Sequence, residues 1–100
     1  MVEINWTIQS LYDIENIAEF ISKDSERYAQ IQVQRFFESV EILYENCRIG
    51  RVVPEFKSDT IRELILGNYR IICYLVSENL IDILAVHHSK SLLSNHKFIR

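Results

Sequence analysis

Side chains able to grip a phosphate or move a proton gather in the second half of the chain: Arg51, Glu55, Arg62, Arg70, His87, His88 and Lys90. A guanidinium can hold a phosphate through two parallel hydrogen bonds, and an imidazole titrates near neutrality. The set therefore contains the parts of acid–base chemistry on a phosphate. Charge is distributed in the same sense. Residues 1–47 carry three basic and nine acidic side chains, a net of −6, whereas residues 48–100 carry eight basic and five acidic ones, a net of +3. A chain with an overall charge of −3 can thus still present one basic face to a partner. The competing reading is ordinary solvated charge, and residue types alone do not separate the two.

Cys47 and Cys73 stand far apart, in no CxxC or Cys/His spacing, so no metal site is expected and both read as reduced, buried thiols. No cofactor is expected either. One hundred residues, 48% apolar and 25% charged, with two Gly and one Pro, suit a single domain over 1–100 with its own core. The longest apolar run, Ile71 to Val76, is far short of the ~20 residues that a membrane helix needs. The first residues carry neither the basic flank nor the apolar stretch of a secretory signal, so a cytoplasmic location without a membrane partner is expected.

The elements that must position these groups follow from periodicity. Val2, Ile4 and Trp6 alternate with polar residues, which predicts a strand within 1–8. From residue 9 the period changes. Leu11, Ile14, Ile17, Ala18 and Ile21 recur every three or four positions and predict a helix with Thr7 as N-cap, in which the acids Asp13 and Glu15 come early, where the helix dipole favours them. Residues 22–25 punctuate. Ala29, Val33, Phe36, Val40, Leu43 and Cys47 then predict a second helix of some 22 residues, a rod of roughly 33 Å, so that 9–47 reads as a helical hairpin. Residues 48–88 read as antiparallel strands. A short one lies near Pro54 at an edge, and Gly67-Asn68 supplies a two-residue hairpin turn. The segment 89–100, with Leu92, Leu93, Phe98 and Ile99, reads as a short helix or a tail.

Pairing Leu66 with Tyr69 and Val76 with Leu80 sorts the last three strands into two faces. Leu64, Leu66, Ile71, Cys73, Leu75, Ile81, Ile83 and Ala85 form the face that receives the helices. Glu63, Arg70, Tyr74, Asp82 and His88, interleaved with Ile61, Ile65, Ile72, Leu84 and Val86, form the opposite face. The expected fold is α+β, β-α-α-β-β-β(-β), with an N-terminal helical hairpin packed on one face of a mainly antiparallel twisted sheet.

Within that order four stretches stand out: Gly50-Arg51-Val52-Val53-Pro54-Glu55, Ile61-Arg62-Glu63-Leu64-Ile65, Tyr69-Arg70-Ile71-Ile72, and Ile83-Leu84-Ala85-Val86-His87-His88-Ser89-Lys90. Together with the Trp6-Thr7 opening they resemble the ParE/RelE superfamily of toxins from bacterial type II toxin-antitoxin, or plasmid stabilisation, systems, over essentially the whole chain. The resemblance implies a growth-arresting toxin silenced by a cognate antitoxin, either as a homo-oligomer or as a toxin–antitoxin hetero-oligomer. It also implies one of two targets: DNA gyrase for ParE-like members, or ribosome-bound mRNA, cut without a metal, for RelE-like and YoeB-like members.

Cleavage of RNA needs a base, a cation for the crowded phosphate and an acid for the leaving oxygen. The resemblance suggests Arg70 as the cation, His88 or His87 as the acid and Glu55 as the base, with Arg51, Arg62 and Lys90 as further phosphate or target contacts. Arg70 is alternatively a cross-strand partner of Glu63, the histidines strand-end surface groups, and Glu55 a solvated carboxylate. The acidic character, with a pI near 5.6, tilts the expectation toward gyrase, because docking on RNA draws on many Lys and Arg contacts. A degenerate, non-toxic member kept for complex formation is the remaining alternative.

Overall fold

A computed structural model describes residues 2–89 of the chain; Lys90 and the expected C-terminal helix or tail lie outside them. The elements run β1 (Glu3–Trp6), α1 (Ile8–Ser22), α2 (Glu26–Ser39), a 3-10 turn (Glu41–Tyr44), β2 (Arg51–Val52), β3 (Ile61–Leu66), β4 (Tyr69–Ser77) and β5 (Leu80–His88). Two helices pack on a five-stranded sheet of order β1-β5-β4-β3-β2, in which β1 runs parallel to β5 and every other pair is antiparallel. The α+β expectation holds. Among the described residues no helix is long and apolar enough to cross a membrane.

Local chemistry sets the element ends. The Thr7 hydroxyl accepts from the Ser10 N–H at 3.2 Å, and the Ser25 hydroxyl accepts from the Tyr28 N–H at 3.1 Å, so both helices start at side-chain caps. The second helix is shorter than its periodicity predicts. It stops at Ser39, whose hydroxyl donates back to the Phe36 carbonyl at 2.7 Å, and gives way to the 3-10 turn, where the Leu43 N–H donates to Val40 O at 2.9 Å. The step from Val40 to Leu43 is three residues, which suits both helix types, and both side chains are buried. The apolar pattern therefore could not register the change. At about 1.5 Å per residue, 14 residues give a rod of ~21 Å rather than ~33 Å.

The Gly67-Asn68 turn is as expected. Gly67 has φ +58° while no non-glycine residue has a positive φ, the pattern of a turn needing glycine at its first central position. The β4–β5 register departs from the expected one. Leu75 faces Ile81, Tyr74 faces Asp82 and Cys73 faces Ile83 as predicted, but then Ile72 faces Ala85, which leaves Leu84 as an extra residue in β5. A second shift pairs Ser77, not Val76, with Leu80. The bulge at Leu84 turns over every side chain after it. Ala85, expected under the helices, lies on the far face, and Val86, expected on the far face, lies under the helices.

Two apolar clusters result. Between helices and sheet, Ile14, Phe36, Val40 and Leu43 meet Ile71, Cys73, Leu75, Ile81, Ile83 and Val86. Burial of each large side chain there contributes about 1.5–3 kcal/mol. On the far face Val53, Ile61, Ile72 and Ala85 form a smaller cluster, flanked by Phe56 and Leu84. The segment 53–60, between β2 and β3, thus lies against the far face as a strap.

Candidate functional site

The strap and the far face enclose a chain of ion pairs. Arg70, on β4, is only 6% exposed, and Glu63, on β3, is 1% exposed. Arg70 Nε donates to Glu63 Oε1 at 2.5 Å, while its Nη1 and Nη2 donate to Glu55 Oε2 and Oε1 at 2.8 and 2.9 Å. Arg51 Nε donates to the other oxygen of Glu63. The order is Glu55, Arg70, Glu63, Arg51: two cations and two anions, with no net charge. Hydrogen bonds to Glu55, then those to Glu63, hold Arg70 cationic and raise its pKa above the ordinary guanidinium value, against the lowering effect of burial.

Each member is placed by its element. Glu63 and Arg51 are direct partners in the β2–β3 ladder, and Arg70, paired with Ile65, sits diagonally to Glu63 on the same face. Gly50 lets the two backbones approach: a Cβ there would lie 3.0 Å from Glu63 O and 3.3 Å from Arg62 Cβ. Of the two readings open for Arg70, the contact with Glu63 is present, and Glu55 occupies both terminal nitrogens that a phosphate would use.

The other candidates are dispersed around this network. Arg62 donates from Nε to Asp59 O at 2.9 Å and from Nη1 to Gly50 O at 3.0 Å and Arg48 O at 3.2 Å, so it ties the far end of the strap to the segment that leads into β2. Arg51 is paired but has a side chain 64% exposed. His88 does not lie on the face expected for it. Beyond the bulge His87 faces Arg70 in the ladder, on the far face, whereas His88 faces Tyr69, its ring 6.0 Å away edge-on, toward the helix side. Asp13, Ile17 and Phe20 of α1 share a shallow cavity of about 340 Å³ with both histidines. Lys90 lies outside the described residues.

Two features carried no signal in the sequence. The pairing of Glu55 with Arg70 spans 15 residues across an irregular strap, and no periodicity registers it. Asp13 lies beyond the first turn of α1, where the dipole effect has faded, and instead accepts the Val86 backbone N–H at 3.0 Å. It caps β5 just past the end of β1, where Thr7 donates its hydroxyl to Ile83 O at 2.7 Å. The cysteines are both free. Cys73 is buried, its thiol pKa pushed up to about 12 by that burial, and Cys47 is only partly buried, unlike its expectation. Among the described residues no group of three or more His, Cys, Asp or Glu could hold a metal ion.

Comparison with known proteins agrees with this architecture. The family described as ParE toxin of type II toxin-antitoxin system, parDE, matches residues 4–93. A solved structure titled as the chromosomal ParDE TA system from P. aeruginosa superposes with a TM-score of 0.73 at 22% identity, over 90% of this chain and 98% of that one. Among curated proteins, none matches the sequence.

Proposed function

The chain belongs to the ParE toxin family of type II toxin-antitoxin systems, and from that membership we propose that it arrests growth by binding DNA gyrase, is neutralised by a cognate antitoxin in the cytoplasm, and uses no bond chemistry of its own. The observation that carries the choice of target is the self-neutralised network. The guanidinium suited to an RNA phosphate is already bound by Glu55, at 2.8 and 2.9 Å, and by Glu63, at 2.5 Å. A phosphate reaching Arg70 must displace one carboxylate while another stays beside it, which is repulsive at short range.

The same arrangement separates the other parts of a nuclease. Glu55 as a base would have to release Arg70, and only His87 of the two histidines shares the face of Arg70. The net charge of −3 weighs against docking on RNA. Arg70, Glu63 and Glu55 act here as anchors for the strap, and Arg51 and Arg62 as supports at its edge.

Expression of the chain without antitoxin tests the proposal. Growth arrest with DNA breaks and an SOS response, relieved by co-expression of a cognate antitoxin, is the expected result. New transcript 5′ ends with unchanged DNA topology would replace the gyrase reading with mRNA cleavage, and unimpaired growth would mark an inert member.

A further inference from the structure

On the side away from β1 the sheet ends at β2, which is two residues long. The Val53 N–H donates to Ile61 O at 3.3 Å, so the alternation of an antiparallel pair turns the N–H and C=O of Val52 outward, away from β3. The outward positions on either side are closed. Arg62 Nη1 already donates to Gly50 O at 3.0 Å, and Pro54 has no N–H to offer. The edge therefore presents the backbone of a single residue.

Three guanidinium groups flank that residue. Arg51 is held at Nε by Glu63, Arg62 is held at Nε and Nη1 by backbone carbonyls, and Arg48 is exposed. Among the described residues no hydrogen bond reaches Nη1 or Nη2 of Arg51, Nη2 of Arg62 or the Arg48 guanidinium. Carbonyl partners carry no net charge, so the cation of Arg62 stays uncompensated. Residues 48–62 hold four basic and two acidic side chains, and one of the acids, Glu55, is taken up by Arg70. Ile49 and Val52, 45% and 41% exposed, add apolar surface to the same stretch.

We propose that the β2 edge is the surface that meets the target, and that it receives an extended acidic segment of the target protein. Carboxylates of that segment pair with the free nitrogens of Arg51, Arg62 and Arg48, an apolar side chain lies against Ile49 and Val52, and a peptide group meets the backbone of Val52. Arg51 and Arg62 are already fixed through part of each guanidinium, so less side-chain freedom is lost when a carboxylate binds the rest. Three kinds of partner match the charge, and the rest of the edge chooses among them. A phosphate backbone suits the guanidinium groups but leaves Ile49, Val52 and the outward peptide unmatched. A second copy brings Glu15 and Glu19 on α1 and Glu26 on α2, but helices satisfy their backbone groups internally and offer no peptide to Val52. An extended acidic segment meets charge, apolar surface and backbone together. The proposal rests on the reading of the chain as a toxin that binds a protein target.

Binding of the full chain to the DNA gyrase holoenzyme, free of DNA, tests it. The Arg48→Glu/Arg51→Gln variant, in which Gln keeps an amide donor for Glu63, should bind roughly tenfold more weakly and lose growth arrest while retaining a cooperative melting transition. Ile49→Ser, which changes no charge, should also weaken binding. Amides of residues 48–53 should exchange more slowly in the complex. A double variant that binds gyrase as the unaltered chain does overturns the docking surface and leaves the gyrase reading standing. Binding that needs a DNA duplex, with the same variant weakened on the duplex alone, replaces the acidic segment with a phosphate backbone. Self-association of the unaltered chain that the double variant abolishes, with gyrase binding kept, makes the occupant a second copy. Absence of gyrase binding by the unaltered chain, without DNA breaks on expression, removes the gyrase reading itself.

Discussion

Arg70 and Glu55 face each other as a bidentate pair, Nη1 to Oε2 at 2.8 Å and Nη2 to Oε1 at 2.9 Å, across 15 residues of sequence. The pair joins a strand of the sheet to the strap that covers its far side. Glu63, beneath both, is out of solvent and accepts from Arg70 and Arg51. A guanidinium so placed holds the strap to the sheet.

Removal of Arg70 should cost far more than removal of Arg51. Arg70→Ala leaves the buried Glu63 carboxylate with one largely exposed partner, and breaking a buried pair from one side costs about 3–5 kcal/mol. Arg51→Ala should cost about 1 kcal/mol or less, because its side chain is 64% exposed. Equilibrium unfolding in urea measures both, and equal losses would contradict the buried network.

Glu55→Ala should loosen the strap without unfolding the domain. Arg70 keeps Glu63, so the stability loss should be smaller than for Arg70→Ala. Amides of residues 53–60 should exchange several-fold faster. Unchanged exchange there would show that Val53 and Phe56 hold the strap by packing alone.

Much of this architecture was legible in the sequence. Alternation at Val2, Ile4 and Trp6, the three-and-four spacing of α1, and Gly67-Asn68 at the hairpin each reflect one local rule. What stayed hidden arose from local rules giving way to tertiary context. The change to a 3-10 turn after Val40 keeps the apolar spacing, and the bulge at Leu84 inserts one residue into an otherwise regular strand. That single residue moved Ala85, Val86 and His88 to the opposite faces from those expected, and it leaves His87 rather than His88 beside Arg70. The Glu55–Arg70 pair was hidden because it spans an irregular segment with no period of its own.

The bulge makes its own prediction. His87 should show nuclear Overhauser contacts to the Arg70 side chain and His88 to the Tyr69 ring. The reverse pattern would restore the regular register and bring His88 back to the far face.

Cys73 should shape the alkaline limb of stability. Its folded pKa is raised by burial from 9.0 to about 12, so its contribution is fully present below the ordinary thiol value and is lost as pH rises through that window. The slope due to this thiol is about 1.4 kcal/mol per pH unit within the window. Cys73→Ala should remove that part of the slope in urea unfolding measured from pH 8 upward. In the native state a thiol reagent should label the half-buried Cys47 well before Cys73.

The most direct measurement follows the Arg70 Nε–H group by nuclear magnetic resonance while single-stranded RNA is added to the protein. A proton held between Arg70 and Glu63 should exchange slowly with water and keep its chemical shift throughout the titration. Fast exchange in the free protein, or a shift that saturates with RNA, would mean that Arg70 is available to phosphate, contradicting the account of a guanidinium already bound by its own carboxylates.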